Sequence, residues 1–191
     1  MEFCYEFNNE LYNMQKDLTN KIRTILNKEK QQRGYFNIVF LCIGTDRIIG
    51  DCLGPIVGTK LKNELEKQNI FNINIYGTLN KNVSYSNIED ILKMINKKHE
   101  NAYIISVDSA LSNKENIGKV FIKEGKMELG KCLNKKKIEV GNISISGVVG
   151  KNYKIPKYNF NILQNISLNE VLKLANVVYK GIIEAINIMY N

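Results

Sequence analysis

Histidine is almost missing from this chain, which has a single one, His99, among 191 residues. The four cysteines, Cys4, Cys42, Cys52 and Cys132, form no Cys-x-x-Cys pair, so the ligand spacing of a structural zinc site is missing as well. No stretch approaches the about 20 apolar residues that a membrane-spanning helix needs. These absences predict a protein without a zinc site or a membrane span, whose thiols stay reduced.

Glycine-rich nucleotide-binding loops are also missing. The sequence contains neither G-x-G-x-x-G nor G-x-x-x-x-G-K followed by Ser or Thr, and we expect no cofactor. The net charge is +8, but the lysines are spread out and form neither an arginine-rich arm nor a stripe of basic and aromatic residues. Because net charge alone speaks only to non-specific association, we do not expect a nucleic-acid partner.

The composition is that of a soluble globular protein. Hydrophobic residues make up 44% and charged residues 24% of the chain. Its start is acidic and has no long apolar region, so we expect no signal peptide and a cytoplasmic location. The length fits one domain over 1–191, with a leading helix over 1–34 and a core over 35–191.

Hydrophobic periodicity predicts alternating helices and strands in the first half of the chain. We expect helices over 8–30, 55–68 and 86–98 and strands over 36–43, 72–77 and 102–107. Such an alternation is typical of an α/β fold with a mostly parallel sheet between helices. The second half is predicted to hold strands over 118–123, 138–149 and 157–166, a connection over 125–137 and a final helix over 167–190.

The loop after the first strand carries the most chemistry. It begins at Cys42 and ends at Pro55, and it contains Asp46, Arg47 and Asp51 between glycines. Polar loops at the carboxyl ends of buried strands are where open α/β sheets bind ligands. Gly54 is expected to cap the next helix, and Asp51 is expected near the positively polarised start of that helix. The plainer interpretation of Asp51 is a loop aspartate that makes a local turn.

A second aspartate, Asp108, is expected at the end of the strand over 102–107. If the first and third strands are neighbours, Asp51 and Asp108 face one crevice at the switch point of the sheet. Two close carboxyls do not both ionise easily, so one holds a proton and the other does not. That division suits activation of water on an amide, whereas a capping role for Asp108 is the structural alternative.

The remaining polar groups leave two questions open. Arg47 could bind a substrate carbonyl or be a solvated surface residue. No metal is expected, but a hard cation on Asp46, Asp51 and Asp108 stays an alternative. His99 precedes the third strand by enough extended chain to lie about 30 Å from Asp108, so a triad with this loop is not expected.

The residues of 42–47, 50–59, 107–111 and 140–145 resemble the YyaC-type sporulation proteins of spore-forming Firmicutes. That family is similar to the spore germination protease and, more distantly, to hydrogenase maturation endopeptidases. The resemblance implies a three-layer α/β/α sandwich of the phosphorylase/hydrolase-like kind. It also implies catalytic aspartates at Asp51, in an Asp-x-Leu-Gly-Pro motif, and at Asp108, whose alignment is interrupted by Ser109.

The resemblance therefore predicts an aspartate-dependent peptidase that acts in the mother cell or forespore. Gly44, Thr45, Asp46, Arg47 and Ser109 are its candidate substrate or oxyanion support. Its partner would be a protein or peptide, with small acid-soluble spore proteins as a candidate, and a homo-oligomer stays open. Two alternatives remain: a non-catalytic binding or regulatory protein of the same fold, and a metal-dependent maturation endopeptidase.

Overall fold

A computed structural model describes residues 2–34, 37–70, 72–129 and 137–190. The connection predicted over 125–137 falls largely outside these residues. The helices are α1 Glu2–Arg33, α2 Leu53–Lys67, α3 Ile88–Lys98, α4 Pro156–Asn165 and α5 Leu168–Tyr190. The strands are β1 Ile38–Cys42, β2 Ile73–Tyr76, β3 Tyr103–Ser112, β4 Val120–Glu124, β5 Met127–Leu129, β6 Ile138–Val140 and β7 Ile143–Lys151. Short 3₁₀ helices lie at Ile49–Asp51, called the 49–51 turn below, and at Lys114–Asn116.

The central sheet has five strands in the order β2-β1-β3-β7-β4. Strands β1, β2, β3 and β7 are parallel, and only the edge strand β4 runs antiparallel to its neighbour. β1 and β3 are neighbours, with β2 on the other side of β1, so the predicted 2-1-3 order is confirmed. The chain therefore places a switch point between the carboxyl ends of β1 and β3.

Helices cover both faces of the sheet, which confirms the predicted α/β class. Side chains of α1, α2 and α5 form one core with alternate residues of β1, β3 and β7, and α4 packs against its edge. The opposite face packs against α3 and the small β5–β6 ribbon. The strand residues alternate between these cores, as Val39 and Phe40 show, because successive side chains of a strand point to opposite faces. Among the described helices, none has the length and apolar character to cross a bilayer.

The prediction of a strand over 157–166 is wrong, because this segment forms helix α4. Polar and apolar residues alternate there, but Tyr158 and Phe160 are exposed. The inward residues Asn159, Ile162 and Leu163 instead follow the helical spacing of three and four positions. Pro156 at the first helical position favours the helix start.

Two further boundaries differ from the predictions. The single strand expected over 138–149 is divided into β6 and β7, with Gly141 at φ +84° between them, a backbone conformation that favours glycine. Helix α2 begins at Leu53 with Cys52 as its N-cap, so Gly54 lies inside the first turn and is not the cap. Pro55 is tolerated there, because the first backbone N–H groups of a helix lack intrahelical partners.

Gly54 lets α2 pack directly on the end of β1. A Cβ atom at this position would overlap the Ile43 carbonyl oxygen, which belongs to the backbone and cannot rotate away. We expect Gly54→Ala to lower the free energy of unfolding by about 2 kcal/mol or more. Urea denaturation measures this change.

A matched variant separates the clash from the loss of glycine flexibility. Gly118 has φ +87° and nothing close to its Cβ position, so Gly118→Ala should cost only about 1 kcal/mol. Helix propensity alone predicts that Gly54→Ala stabilises the protein by up to about 1 kcal/mol. A stabilised Gly54→Ala variant would therefore contradict the close packing of α2 on β1.

Candidate active site

Asp108 lies where β3 loses its neighbour β1. The last paired residues are Cys42 of β1 and Val107 of β3, so Asp108 is the first β3 residue beyond that pairing. The prediction that the strand ends before Asp108 is wrong, because β3 continues to Ser112 by pairing with β7, where Asp108 lies opposite Ser146. The residue as a whole is half-buried, at the point where β3 leaves β1.

The loop after β1 folds back so that Asp51 returns to the end of that strand. The Ile43 N–H donates to the Val107 carbonyl oxygen at 2.7 Å, which holds the loop entrance against β3. Two residues later, the Thr45 N–H donates to the Asp51 carbonyl oxygen at 3.1 Å. Gly44 permits this turn, because it has φ +137° and a Cβ there would overlap the same Asp51 oxygen.

The 49–51 turn presents Asp51 immediately before α2. Asp51 donates its N–H to the Ile48 carbonyl oxygen at 2.9 Å, and Cys52 then caps the helix. A carboxylate just outside a helix N-terminus is favoured by the dipole of the helix. The turn also packs against α4, since a Cβ at Gly50 would lie 2.8 Å from the Leu163 carbonyl oxygen.

The two carboxyls interact electrostatically. Burial raises the pKa of Asp108 well above its usual range, and the negative charge of Asp51 raises it further. A hydrogen bond from the Ser109 N–H to Asp108 Oδ1, at 2.7 Å, works in the opposite direction but is the smaller effect. The structure therefore places Asp51 close enough to Asp108 for its charge to oppose ionisation of Asp108, and the two carboxyls titrate as a pair.

Cys52 is a neighbour of this pair but not a ready nucleophile. Burial, followed by the charges of Asp51 and Asp46, raises the pKa of its thiol, although a backbone hydrogen bond partly offsets this. Its Sγ donates to the Ile49 carbonyl oxygen at 3.0 Å. Since the thiolate is the reactive form, this setting makes Cys52 a structural residue. Cys42 is likewise buried and free, whereas the side chains of Cys4 and Cys132 are outside the described part of the chain.

The support residues named from the sequence lie around this pair at different depths. Asp46 and Arg47 are exposed, and Thr45 is partly buried. The Thr45 hydroxyl accepts a hydrogen bond from the Arg47 N–H at 3.3 Å. Ser109 contributes its backbone N–H to Asp108, as described above.

Asn82 is a site neighbour that the sequence analysis missed. Its Nδ2 donates to Thr45 Oγ1 at 3.4 Å and to Asp46 Oδ1 at 3.5 Å. The next residue, Val83, accepts the Gly44 N–H at 2.7 Å through its carbonyl. A signal was available, because Asn82 follows β2, whose carboxyl end points to the same edge of the sheet as that of β1.

The other candidate ligands and bases do not join the carboxyl pair. Among the described residues, no group of three or more His, Cys, Asp or Glu side chains is arranged to hold a metal ion, so Asp46, Asp51 and Asp108 are not such a group. His99 caps α3, and its Nε2 lies 2.7 Å from the Tyr76 hydroxyl. Burial and the charge of Lys98 lower the pKa of His99, which favours its neutral form.

The coupling predicts a measurable change in the titration of Asp108. In Asp51→Asn the pKa of Asp108 should move down towards its ordinary value, because one cause of its rise is removed. NMR titration of ¹³C-labelled aspartate carboxyls measures this shift, with Asp108→Asn to identify the signal. Asp90→Asn on the exposed face of α3 is the control, and an equal shift in that variant would contradict the coupling.

The same coupling fixes the sign of a stability effect. Asp108 binds its proton more tightly in the folded than in the unfolded chain, so the free energy of unfolding falls as pH rises from the ordinary aspartate pKa through the raised one. Asp108→Asn should abolish this part of the decrease. Thermal unfolding of both proteins across that pH range tests the sign.

Comparisons with known proteins place the chain in a family. The protein described as "Uncharacterized protein YyaC" of Bacillus subtilis (strain 168) is 36% identical over 162 residues, which cover 85% of this chain and 76% of that protein. This similarity confirms the resemblance to YyaC-type proteins. The solved NiFe hydrogenase maturation protease HycI from Thermococcus kodakarensis KOD1 covers 81% of this chain and 98% of its own, with 16% identity and a TM-score of 0.43. Since the matching family model spans residues 6–181, the chain belongs to the family described as "Protein of unknown function (DUF1256)".

Proposed function

We propose that this protein is a peptidase in which Asp51 and Asp108 hydrolyse a peptide bond of a spore protein. The observation that carries the proposal is the coupled carboxyl pair at the switch point of the sheet, where burial and Asp51 both raise the pKa of Asp108. A carboxyl kept protonated beside an ionised one is the arrangement that acid–base hydrolysis needs. The motif resemblance to the spore germination protease supports the same two residues.

The different settings of the carboxyls give them different roles. Asp51, at the N-terminal end of α2, is the ionised partner and accepts a proton from water. The resulting hydroxide attacks the carbonyl carbon of the peptide bond. Asp108 then gives its proton to the leaving amine nitrogen, and the C–N bond breaks. At this point Asp51 holds a proton and Asp108 is ionised. Proton exchange with solvent returns both carboxyls to their starting states.

The negative oxygen of the tetrahedral intermediate needs a donor. Arg47 is exposed in the same loop, and a guanidinium is a donor group suited to a negatively charged oxygen. Asn82 holds this loop through Thr45 and Asp46. We therefore assign Arg47 to oxyanion stabilisation and Asn82 to positioning of the loop.

Substitution of either carboxyl should abolish cleavage. We expect Asp51→Asn and Asp108→Asn each to lower kcat/KM by at least about a hundredfold, because general acid–base catalysis is lost while the side-chain shape is kept. The assay uses extracted small acid-soluble spore proteins as substrate and follows fragments by mass spectrometry. Asp90→Asn, an exposed residue paired with Lys93, is the matched control and should cleave like the wild type.

The same assay separates the alternatives. Cleavage that persists in chelator but is lost in both aspartate variants supports the carboxyl pair, whereas loss in chelator favours the metal-dependent maturation endopeptidase. Full activity in Asp108→Asn rejects the proposed acid. A folded wild type that cleaves none of these proteins rejects them as substrates and favours the non-catalytic binding protein.

The pH dependence of the reaction follows from the shared proton. Activity should rise as Asp51 ionises and fall as pH rises through the raised pKa of Asp108, because the acid then loses its proton. The profile of kcat/KM against pH is therefore expected to be bell-shaped. A profile that keeps rising through neutral and alkaline pH would contradict Asp108 as the acid.

A further inference from the structure

The segment before and within α4 is basic and contains no acidic residue. Between Glu139 and Glu170 the sequence has no Asp or Glu, but it has Lys151, Lys154 and Lys157. All three lysines are exposed. The chain thus has a local positive surface whose lysines have no acidic neighbours along the sequence.

Aromatic side chains are exposed on the same segment. Tyr153, Tyr158 and Phe160 are 46%, 55% and 39% exposed, and Ile155 is exposed between them. We call Lys151, Tyr153, Lys154, Lys157 and Tyr158 the basic–aromatic patch. The expectation that the chain has no basic and aromatic stripe is therefore wrong for this segment. An apolar surface bordered by charge is typical of a protein-binding site.

The patch is held in one conformation by a buried side chain. Asn159 is 2% exposed, and its Oδ1 accepts the Tyr153 N–H at 2.9 Å while its Nδ2 donates to Asn152 Oδ1 at 3.1 Å. Asn152 Oδ1 also accepts a hydrogen bond from the Lys154 N–H at 2.8 Å. Lys154 itself has a backbone φ of +59°. These bonds fix the segment on α4, so binding there costs little ordering.

Helix α4, which carries the Lys157 and Tyr158 part of the patch, contacts the turn that presents Asp51. Leu163 of α4 packs on Gly50, which is next to Asp51 in the 49–51 turn. Ile49 of the same turn is itself exposed. Helix α4 therefore connects the segment that holds the patch with the turn that presents Asp51.

We propose that the basic–aromatic patch is a docking site for an acidic, apolar segment of the protein substrate. Carboxylates of that segment pair with Lys151, Lys154 and Lys157, and its apolar side chains cover Tyr158 and Ile155. The patch binds away from the scissile bond and so raises substrate affinity. This inference rests on the proposed peptidase function for the identity of the occupant.

The ring geometry favours a peptide over a nucleic acid. The Lys151 ammonium lies 4.7 Å from the centre of the Tyr153 ring, where it covers a face on which a base would stack. The Tyr153 and Tyr158 rings are inclined by 57°, so they do not form a flat stacking platform. The three arginines of the chain, Arg23, Arg33 and Arg47, all lie outside the segment.

Binding is measured by fluorescence anisotropy with a labelled peptide of Glu, Leu and Phe. Its counterparts carry Gln or Lys in place of Glu, and a single-stranded oligonucleotide serves as competitor. The full-length Asp51→Asn/Asp108→Asn protein is used so that no probe is cleaved. We expect K151Q/K154Q/K157Q to weaken binding of the Glu peptide about tenfold, as the sum of three exposed ion pairs, and salt to weaken it further.

Two further variants keep the test specific. K93Q/K97Q/K98Q removes the same charge from α3, on the other face of the sheet, and should change affinity less than about twofold. Tyr158→Ser should weaken the Glu and Gln peptides alike, because it removes apolar contact. An equal loss of affinity for the Glu peptide in both triple-lysine variants would overturn the inference. Tighter binding of the Lys peptide or of the oligonucleotide than of the Glu peptide would also overturn it. So would self-association of the protein that K151Q/K154Q/K157Q abolishes.

Cleavage kinetics distinguish this inference from the proposed function. If the wild type cleaves an acidic substrate, K151Q/K154Q/K157Q should raise KM with kcat unchanged. An unchanged KM would overturn the docking site and leave the peptidase intact. Peptide binding that depends on the patch, without any cleavage by the wild type, would support the docking site and reject the catalytic role of the carboxyl pair.

Discussion

The backbone hydrogen bond from Thr45 to Asp51 closes the loop after β1, and the position of the carboxyl pair depends on it. This bond brings the Asp51 backbone back to the loop entrance at the carboxyl end of β1. Gly44 makes the bond sterically accessible, since a side chain there would overlap the Asp51 carbonyl. Gly54 has a similar role further along the chain, because its missing side chain lets the start of α2 pack against the Ile43 carbonyl. Two glycines thus fix the aspartate and the helix that stabilises it.

The site combines this rigid backbone with an unfavourable charge environment. Asp108 is buried enough to resist ionisation and is opposed by the charge of Asp51, while the Ser109 N–H is the favourable contact that it accepts. A buried carboxyl with a like-charged neighbour lowers stability when it ionises. Such an arrangement is typical of functional sites, where the surrounding packing compensates for the local cost. The cores on both faces of the sheet provide that packing.

Helix α4 connects the interior of the site with its surface. Its inner side packs on the 49–51 turn through Leu163, and its buried Asn159 holds the exposed segment before it. The outer side carries lysines and aromatic rings without acidic neighbours in sequence. One short helix therefore packs on the turn that presents Asp51 and holds the exposed segment before it, so the proposed catalysis and the proposed recognition share a structural element.

The sequence by itself determined the α/β class, the loop with Asp51 and the second aspartate Asp108, because strands buried on both faces and polar loops leave clear local patterns. Only the tertiary structure decided that β3 runs past Asp108, since the extension depends on pairing with β7. It also decided that 156–165 is a helix, because burial of Asn159 and partial burial of Leu163 outweigh an accidental alternation. The place of Asn82 beside Asp46 and the raised pKa of Asp108 likewise came from contacts between distant segments, which no local pattern encodes.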